Sequence, residues 1–183
     1  MAYAVVSAFS GASKTTVSID GTDFDVYQFT STAGGSIEFS AAGDVNLLIV
    51  GGGGPGGTRE SGGGGAGEYV ERSLFPVSAA SFPVTVGLGG EWSFNGSNSS
   101  FAGLTAIGGG RGGARVSIEA SDGGSGGGEN RFGSGTPSFG ASSAVDGVGH
   151  DGGLRSGNGG GGGGGGGAGS RPNQPRPNLG GAG

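Results

Sequence analysis

The residues with the most chemical promise are glycines. The stretch "VNLLIVGGGGPGGTRE", Val45 to Glu60, runs an apolar, β-branched segment into Gly51-x-Gly53-x-x-Gly56, the spacing of a dinucleotide-binding loop. That loop works by opening a helix whose N-terminus receives the pyrophosphate. Here residues 62–65 are all glycine, each costing ~1 kcal/mol in a helix relative to alanine, so no crossover helix starts there. The single lysine, Lys14, follows no glycine loop, which also removes a phosphate-binding P-loop. In a chain with 52 glycines the spacing arises from composition. Gly51, Gly53 and Gly56 are read as structural.

The other reactive types are sparse. The lone histidine, His150, sits beside Asp151 in "VGHDGG". Nucleophilic catalysis needs serine, histidine and an acid to converge, and no G-x-S-x-G elbow is present, so His150 reads as an exposed loop residue. Asp20, Asp23 and Asp25 in "DGTDFD" do not have the twelve-residue calcium-loop pattern; a hairpin turn at Asp20-Gly21 accounts for them. "VDGVGHDGG" resembles a calcium-binding nonapeptide only faintly and occurs once. No metal and no cofactor is expected, and the chain is read as a non-enzyme. "NGS" and "NSS" match glycosylation sequons at Asn95 and Asn98, which carry weight only in a secreted chain.

The elements that must position anything are strands. "TTVSI" puts Val17 and Ile19 on one face, and "FDVYQFT", Phe24 to Thr30, changes its apolar face midway. "SIEFS" points Ile37 and Phe39 inward, and the nearly continuous "VNLLIV" suits a central strand. "VTVGL" aligns Val84, Val86 and Leu88, and "LTAI" adds Leu104 to Ile107. No segment carries apolar residues at helical spacing free of glycine.

Composition sets limits on the rest. The chain has 183 residues, of which 52 are glycine, seven are proline and only 32% are hydrophobic. Glycine buries no side chain and loses the most backbone freedom on ordering, so a conventional core serves only part of the chain. Collagen needs glycine at every third position and abundant proline, and is excluded. The absence of cysteine removes a disulfide framework and thiolate metal sites. A net charge of −5 disfavours nucleic acid and anionic membranes as partners. No apolar run approaches the ~20 residues that span a bilayer, and "MAYAVVSAFSGASK" lacks the basic n-region of a signal peptide. Synthesis inside the cell without membrane insertion is the expectation.

From about Gly108 glycine takes over, ending in nine successive glycines, Gly159 to Gly167, and a Pro/Arg/Asn-rich tail. Two readings compete for this half. One is a flexible linker. The other is extended polyglycine in the polyproline-II conformation, three residues per turn, whose N–H and C=O groups point sideways. With no Cβ in the way, neighbouring helices can pair those groups laterally. The division expected is a β framework with the first glycine loops over 1–107, a polyglycine-II region over 108–170 and a tail over 171–183. The fold class is all-β, a small antiparallel β-sandwich followed by that helix bundle, with essentially no α-helix.

The order "YQFTSTAGGSIEF…GDVNLLIVGGGGPGG…GGGGAGEYVE…FPVTVGLGG…FNGSNSSFAGLTAIGGGRGG" resembles the glycine-rich domain of bacteriophage tail-fibre adhesins and minor tail proteins. The ordered non-glycine residues Val84, Val86, Asn95, Ser99, Phe101 and Leu104 carry the resemblance. It implies a β framework fused to packed polyglycine-II helices, with loops at one end contacting a host-surface receptor, protein or glycan. It also implies a virion location at a tail fibre or tail tip, other phage tail proteins as partners, and a homotrimer or attachment to a trimeric fibre. The alternative is a structural capsid or tail decoration subunit that cements neighbouring copies. An ice-binding polyglycine-II protein would need a flat three-residue repeat of small or threonine side chains, which is lacking.

Bulky residues among glycines mark the places where such a scaffold would act. Phe94 and Phe101 are read as plugs at the boundary with the β part. Trp92, Arg131, Phe132 and His150 are the candidates for receptor contact, because aromatic and arginine anchors in exposed loops serve recognition.

Overall fold

A computed structural model describes residues 2–58, 61–114, 118–130 and 149–152. The described residues are all β, with antiparallel sheets and no helix. Nine strands run in chain order: β1 (Val5–Ser10), β2 (Ala12–Ile19), β3 (Thr22–Phe29), β4 (Gly35–Ala41), β5 (Gly43–Val50), β6 (Tyr69–Val77), β7 (Ser81–Thr85), β8 (Ser99–Phe101) and β9 (Leu104–Ala106). Strands β1-β4-β7-β8-β9 form one five-stranded sheet; β2-β3 and β5-β6 each form a two-stranded one.

Local chemistry explains the turns. Asp20 (φ 50°) and Gly21 (φ 77°) join β2 to β3, the two positive φ values of a type I′ hairpin turn. Ala102 (φ 48°) and Gly103 (φ 82°) do the same between β8 and β9. Strands β5 and β6 slip register between Val45 and Leu47. Opposite that slip Leu74 has φ 54°, and its N–H donates to Asn46 Oδ1 at 2.9 Å. The side chain of Asn46 thus replaces the ladder acceptor that the irregularity removes.

Two small cores join the sheets. Ile49 and Val70 of the β5-β6 pair meet Leu104 and Ala106 of β9, with Phe101 packed alongside. Ile37 and Phe39 of β4 meet Val77 of β6, flanked by Tyr27, Phe29, Phe75, Phe82, Val84 and Phe101. The rings of Phe39, Phe82 and Phe101 pack in sequence, edge to face and then tilted, at centroid separations of 5.9 and 5.8 Å. Period-two alternation places Ile37 and Phe39 inward as their pattern implies.

Two expectations change. "VNLLIV" is not a central strand: of the named strands β5 pairs with β6 alone, among the described residues its other edge carries only a parallel bridge from Tyr3 to Asp44, and Leu48 and Val50 are exposed while Ile49 is buried. A β-branched run without polar alternation served here on a half-solvated surface, which apolarity alone does not reveal. The strand through Val84 ends at Thr85 rather than reaching Leu88, which is 58% exposed. Gly87 interrupts it, and its N–H goes to the Ser99 hydroxyl at 2.9 Å instead of to a ladder.

Beyond the sheets, the glycine segments bond to one another. Gly51, Gly54 and Gly57 donate to the carbonyls of Glu68, Gly65 and Gly62 at 2.8–2.9 Å. Gly62, Gly65 and Glu68 in turn donate to Gly113, Gly110 and Ile107. Gly109 and Gly112 donate to Gly52 and Pro55, Gly110 and Gly113 to Ser125 and Gly128, and Ser125 and Gly128 to Ala66 and Gly63. Every series steps by three residues on both sides. A β-ladder steps by two and an α-helix bonds four residues back. The segment whose spacing matches a nucleotide-binding loop opens no helix, as its four following glycines imply, and runs through this network.

Candidate functional site

The network is made possible by missing side chains. A Cβ on Gly65 would overlap the Ser125 carbonyl oxygen; on Gly54, that of Gly110; on Gly62, that of Gly128; on Gly127, that of Arg111. The backbones are in contact where side chains would otherwise stand. The candidate fingerprint splits under this test. Gly51 abuts Ile107 O, whereas a Cβ on Gly53 or Gly56 would find nothing nearer than 4.0 or 3.9 Å. Gly52, Gly54 and Gly57, the positions that follow each of them, need to be bare. The glycines that matter to the chain's own packing therefore do not follow a nucleotide-binding spacing.

Side chains complete the network where the main chain falls short. The Ile107 N–H donates to Glu68 Oε2 at 2.9 Å, and Gly108 N–H donates to Asn98 Oδ1 at 2.9 Å. Ser99 accepts from Gly87 and donates to Val50 O at 2.6 Å. Asn95 Oδ1 receives the Arg111 N–H at 3.1 Å and the Ser121 hydroxyl, while its Nδ2 donates to Asp122 O at 2.7 Å. Buried backbone groups demand partners, and each of these polar residues supplies one. Ser121 went unnoticed in the sequence, as did the bonding roles of Glu68, Asn95, Asn98 and Ser99. Their signal is a short polar residue at the end of, or beside, a glycine run. Both sequon asparagines are engaged in this network.

On the network sits one prominent turn. Gly90 N–H donates to Gly53 O at 2.8 Å, and the chain then reverses through Glu91–Phe94, closed by the Phe94 N–H on Glu91 O at 3.0 Å. A Cβ on Gly90 would meet Pro55 Cδ at 2.6 Å, so the turn rests on the 51–57 strand. Trp92 lies at φ 52°, a left-handed conformation that costs a residue with a Cβ ~1–2 kcal/mol. It is 78% exposed, and Phe94 beside it is 73% exposed. A bulky aromatic held against its backbone preference and out of any core marks a place to look for function.

The remaining candidates are scattered. Phe101 packs against both hydrophobic cores, while Phe94 stands outside them. His150 is partly buried and tied by its main chain: its carbonyl accepts from Gly126 at 2.8 Å and its N–H reaches Ser125 Oγ at 3.3 Å. Arg131 and Phe132 lie outside the described residues, as do Gly159–Gly167 and the 171–183 tail.

Among the described residues no cluster of His, Asp or Glu has the geometry of a metal site, and no helix is long and apolar enough to cross a membrane. Of the three aspartates at the first hairpin, Asp25 is 2.8 Å from Lys14 Nζ and accepts from Thr16 Oγ1 at 2.9 Å. The Lys14 and Thr16 hydrogen bonds hold its carboxyl below the usual carboxylate range, and Asp25 raises Lys14 in return.

No curated protein and no solved structure matches the chain. A family model described as a glycine-rich domain matches residues 29–183, taking in β4 through β9 and the whole hydrogen-bonded glycine network, and the chain belongs to that glycine-rich domain family.

Proposed function

We propose that this chain is a non-enzymatic bacteriophage virion protein, a tail-fibre or tail-tip adhesin that uses a rigid polyglycine scaffold to present loops to a host-surface receptor. The three-residue step of the glycine bonds matches three residues per turn of a polyproline-II helix. Lateral bonding in both parallel and antiparallel senses, with backbones at contact, is what packed polyglycine-II helices require. The observation that carries the recognition part is Trp92, 78% exposed at φ 52° on a turn seated on that scaffold. A fixed aromatic binds without a large ordering cost. The receptor is a host-surface protein or glycan, and other tail proteins anchor the chain.

Purified protein, added to host cells before infection, is expected to block adsorption, and Trp92→Ala to lose most of that block while folding normally. Protein that neither binds cells nor lowers plaque counts overturns the adhesin reading.

One observation favours the structural alternative, a decoration subunit that cements neighbouring copies. Gly53, Gly56 and Gly89 are exposed at the edge of the network, where a Cβ would fit at ordinary contact distance. Copy number per particle separates the readings: a few copies at a tip favour adhesion, and many over a surface favour cement.

A further inference from the structure

Asn95 is followed by Gly96, and the chain has one other Asn-Gly pair, Asn158–Gly159. Asparagine is a thermolabile residue, and a following glycine exposes it most, because no Cβ shields the next backbone nitrogen. That nitrogen gives up its proton and attacks the side-chain Cγ. An N–C bond forms, and the amide nitrogen takes a proton and leaves as ammonia. Water then opens the cyclic imide at either carbonyl, giving aspartate or isoaspartate, in which the main chain runs through the side chain.

Asn95 is exposed, so burial does nothing to slow this chemistry. Its hydrogen bonds do. Oδ1 accepts from the Arg111 N–H at 3.1 Å and from the Ser121 hydroxyl, and Nδ2 donates to Asp122 O at 2.7 Å. Ring closure needs Cγ brought squarely against the Gly96 nitrogen, and the carboxamide cannot turn there without breaking these bonds. The nitrogen is held as well. Gly96 N–H donates to Gly109 O at 2.9 Å, which retains the proton that the attack must lose. A Cβ on Gly96 would overlap Gly52 O, and one on Gly108 would overlap Gly96 O. The main chain at Gly96 is therefore gripped by two neighbouring segments.

We infer that Asn95–Gly96 is a latent deamidation site, shut while the glycine network is closed and reactive only when this segment lifts away from Gly109 and Ser121. The product does not fit back. Aspartate at position 95 lacks the Nδ2 donor and sets a carboxylate oxygen against the Asp122 carbonyl, acceptor against acceptor. Isoaspartate adds a methylene to the main chain, which displaces Gly96 and Ser97 from their bonds to Gly109, Leu88 and Gly52. A brief opening thus becomes a permanent one. The site is independent of the adhesin reading.

The test is peptide mapping by mass spectrometry after incubation of the full chain in mildly alkaline buffer, both folded and unfolded in guanidinium chloride. Asn95 is expected to convert at least about tenfold more slowly in the folded chain, in proportion to how rarely the segment opens. Asn158–Gly159 in the unfolded sample calibrates the intrinsic rate. Ser121→Ala removes one Oδ1 donor and is expected to speed both conversion at Asn95 and hydrogen exchange at Gly96 in the folded chain. Asn95→Asp is expected to unfold at a lower temperature than the wild type. Equal rates in the folded and unfolded wild type overturn the inference. So does a faster folded rate, which means that the Arg111 N–H and Ser121 hydroxyl stabilise the oxyanion of ring closure instead of holding the amide. A folded Ser121→Ala chain that converts no faster overturns the lock, and an Asn95→Asp chain as stable as the wild type overturns the exclusion of the product.

Discussion

Glu68 and Ile107 hold each other by two hydrogen bonds: the Glu68 N–H donates to the Ile107 carbonyl at 2.8 Å, and the Ile107 N–H returns to Glu68 Oε2 at 2.9 Å. Glu68 is fully buried, and its other carboxylate oxygen has no hydrogen-bond partner. The pair sits where β6 and β9 hand over to the glycine network. Glu68→Ala strands the Ile107 N–H and is expected to cost ~1–3 kcal/mol. Glu68→Gln keeps an acceptor of the same shape and is expected to cost less. Urea unfolding midpoints of the two variants check this; equal midpoints would show that the return bond contributes nothing.

Two alanine substitutions only a few residues apart in the fold have opposite expectations. Gly65→Ala drives a methyl into the Ser125 carbonyl, backbone that cannot swing aside, and belongs with the rare changes costing more than ~4 kcal/mol. Gly53→Ala brings its methyl no closer than ordinary contact, 4.0 Å from Gly65 O, and is expected to be neutral or to add ~0.4–1 kcal/mol. Thermal unfolding of both measures the contrast. Similar losses in the two would mean that close backbone approach is not what holds the network.

Ser99 is 4% exposed and joins Gly87 N–H to Val50 O. Ser99→Ala removes both of these part-buried hydrogen bonds, each typically worth ~0.5–1.5 kcal/mol. Hydrogen exchange at Gly87 reports it locally: the amide is expected to exchange faster in the variant, and unchanged protection counts against the bridge.

The Lys14–Asp25 pair governs how the β2-β3 hairpin responds to pH. Asp25 is depressed in the folded chain, chiefly by its hydrogen bond from Lys14 and then by Thr16. Its stabilising effect is therefore full above the unfolded value near 3.8 and disappears as pH falls through the lower folded value. Lys14 is raised, so its share is full below 10.5 and is lost as pH climbs through its folded value. The pair is solvent-exposed and screened by salt. NMR titration of Asp25 is expected to give a midpoint below that of a free aspartate, moving back toward it in Lys14→Met; an ordinary midpoint in the wild type refutes the coupling.

The strands that alternate strictly were the most legible. Ile37 and Phe39 follow from "SIEFS", and Asp20-Gly21 announces its turn because few residues accept two successive positive φ values. The absence of a helix after Val50 followed from the cost of four glycines. Strands β1 and β6 escaped notice because "VVSAFS" and "YVERSLFPV" mix polar and apolar residues irregularly, and Leu74 breaks the period with a bulge. The partners of β5 were not readable, since a continuous apolar run does not say how many neighbours it has. Within the glycine segments the need for glycine at Gly54 and not at Gly53 depends on which backbone lies opposite. That is a tertiary relation with no local signature. Trp92 stood out by its type, but its left-handed backbone did not.

Strand 62–68 has bonds to three different neighbours, 51–57, 107–113 and 123–130. A strand in a sheet can be peeled from one edge, breaking its bonds in turn like a zipper. This segment is bonded on three flanks, so a pull along its axis loads all three together. Tension arriving through this segment would be shared among its three bonded neighbours, much as a rope shares load among its strands.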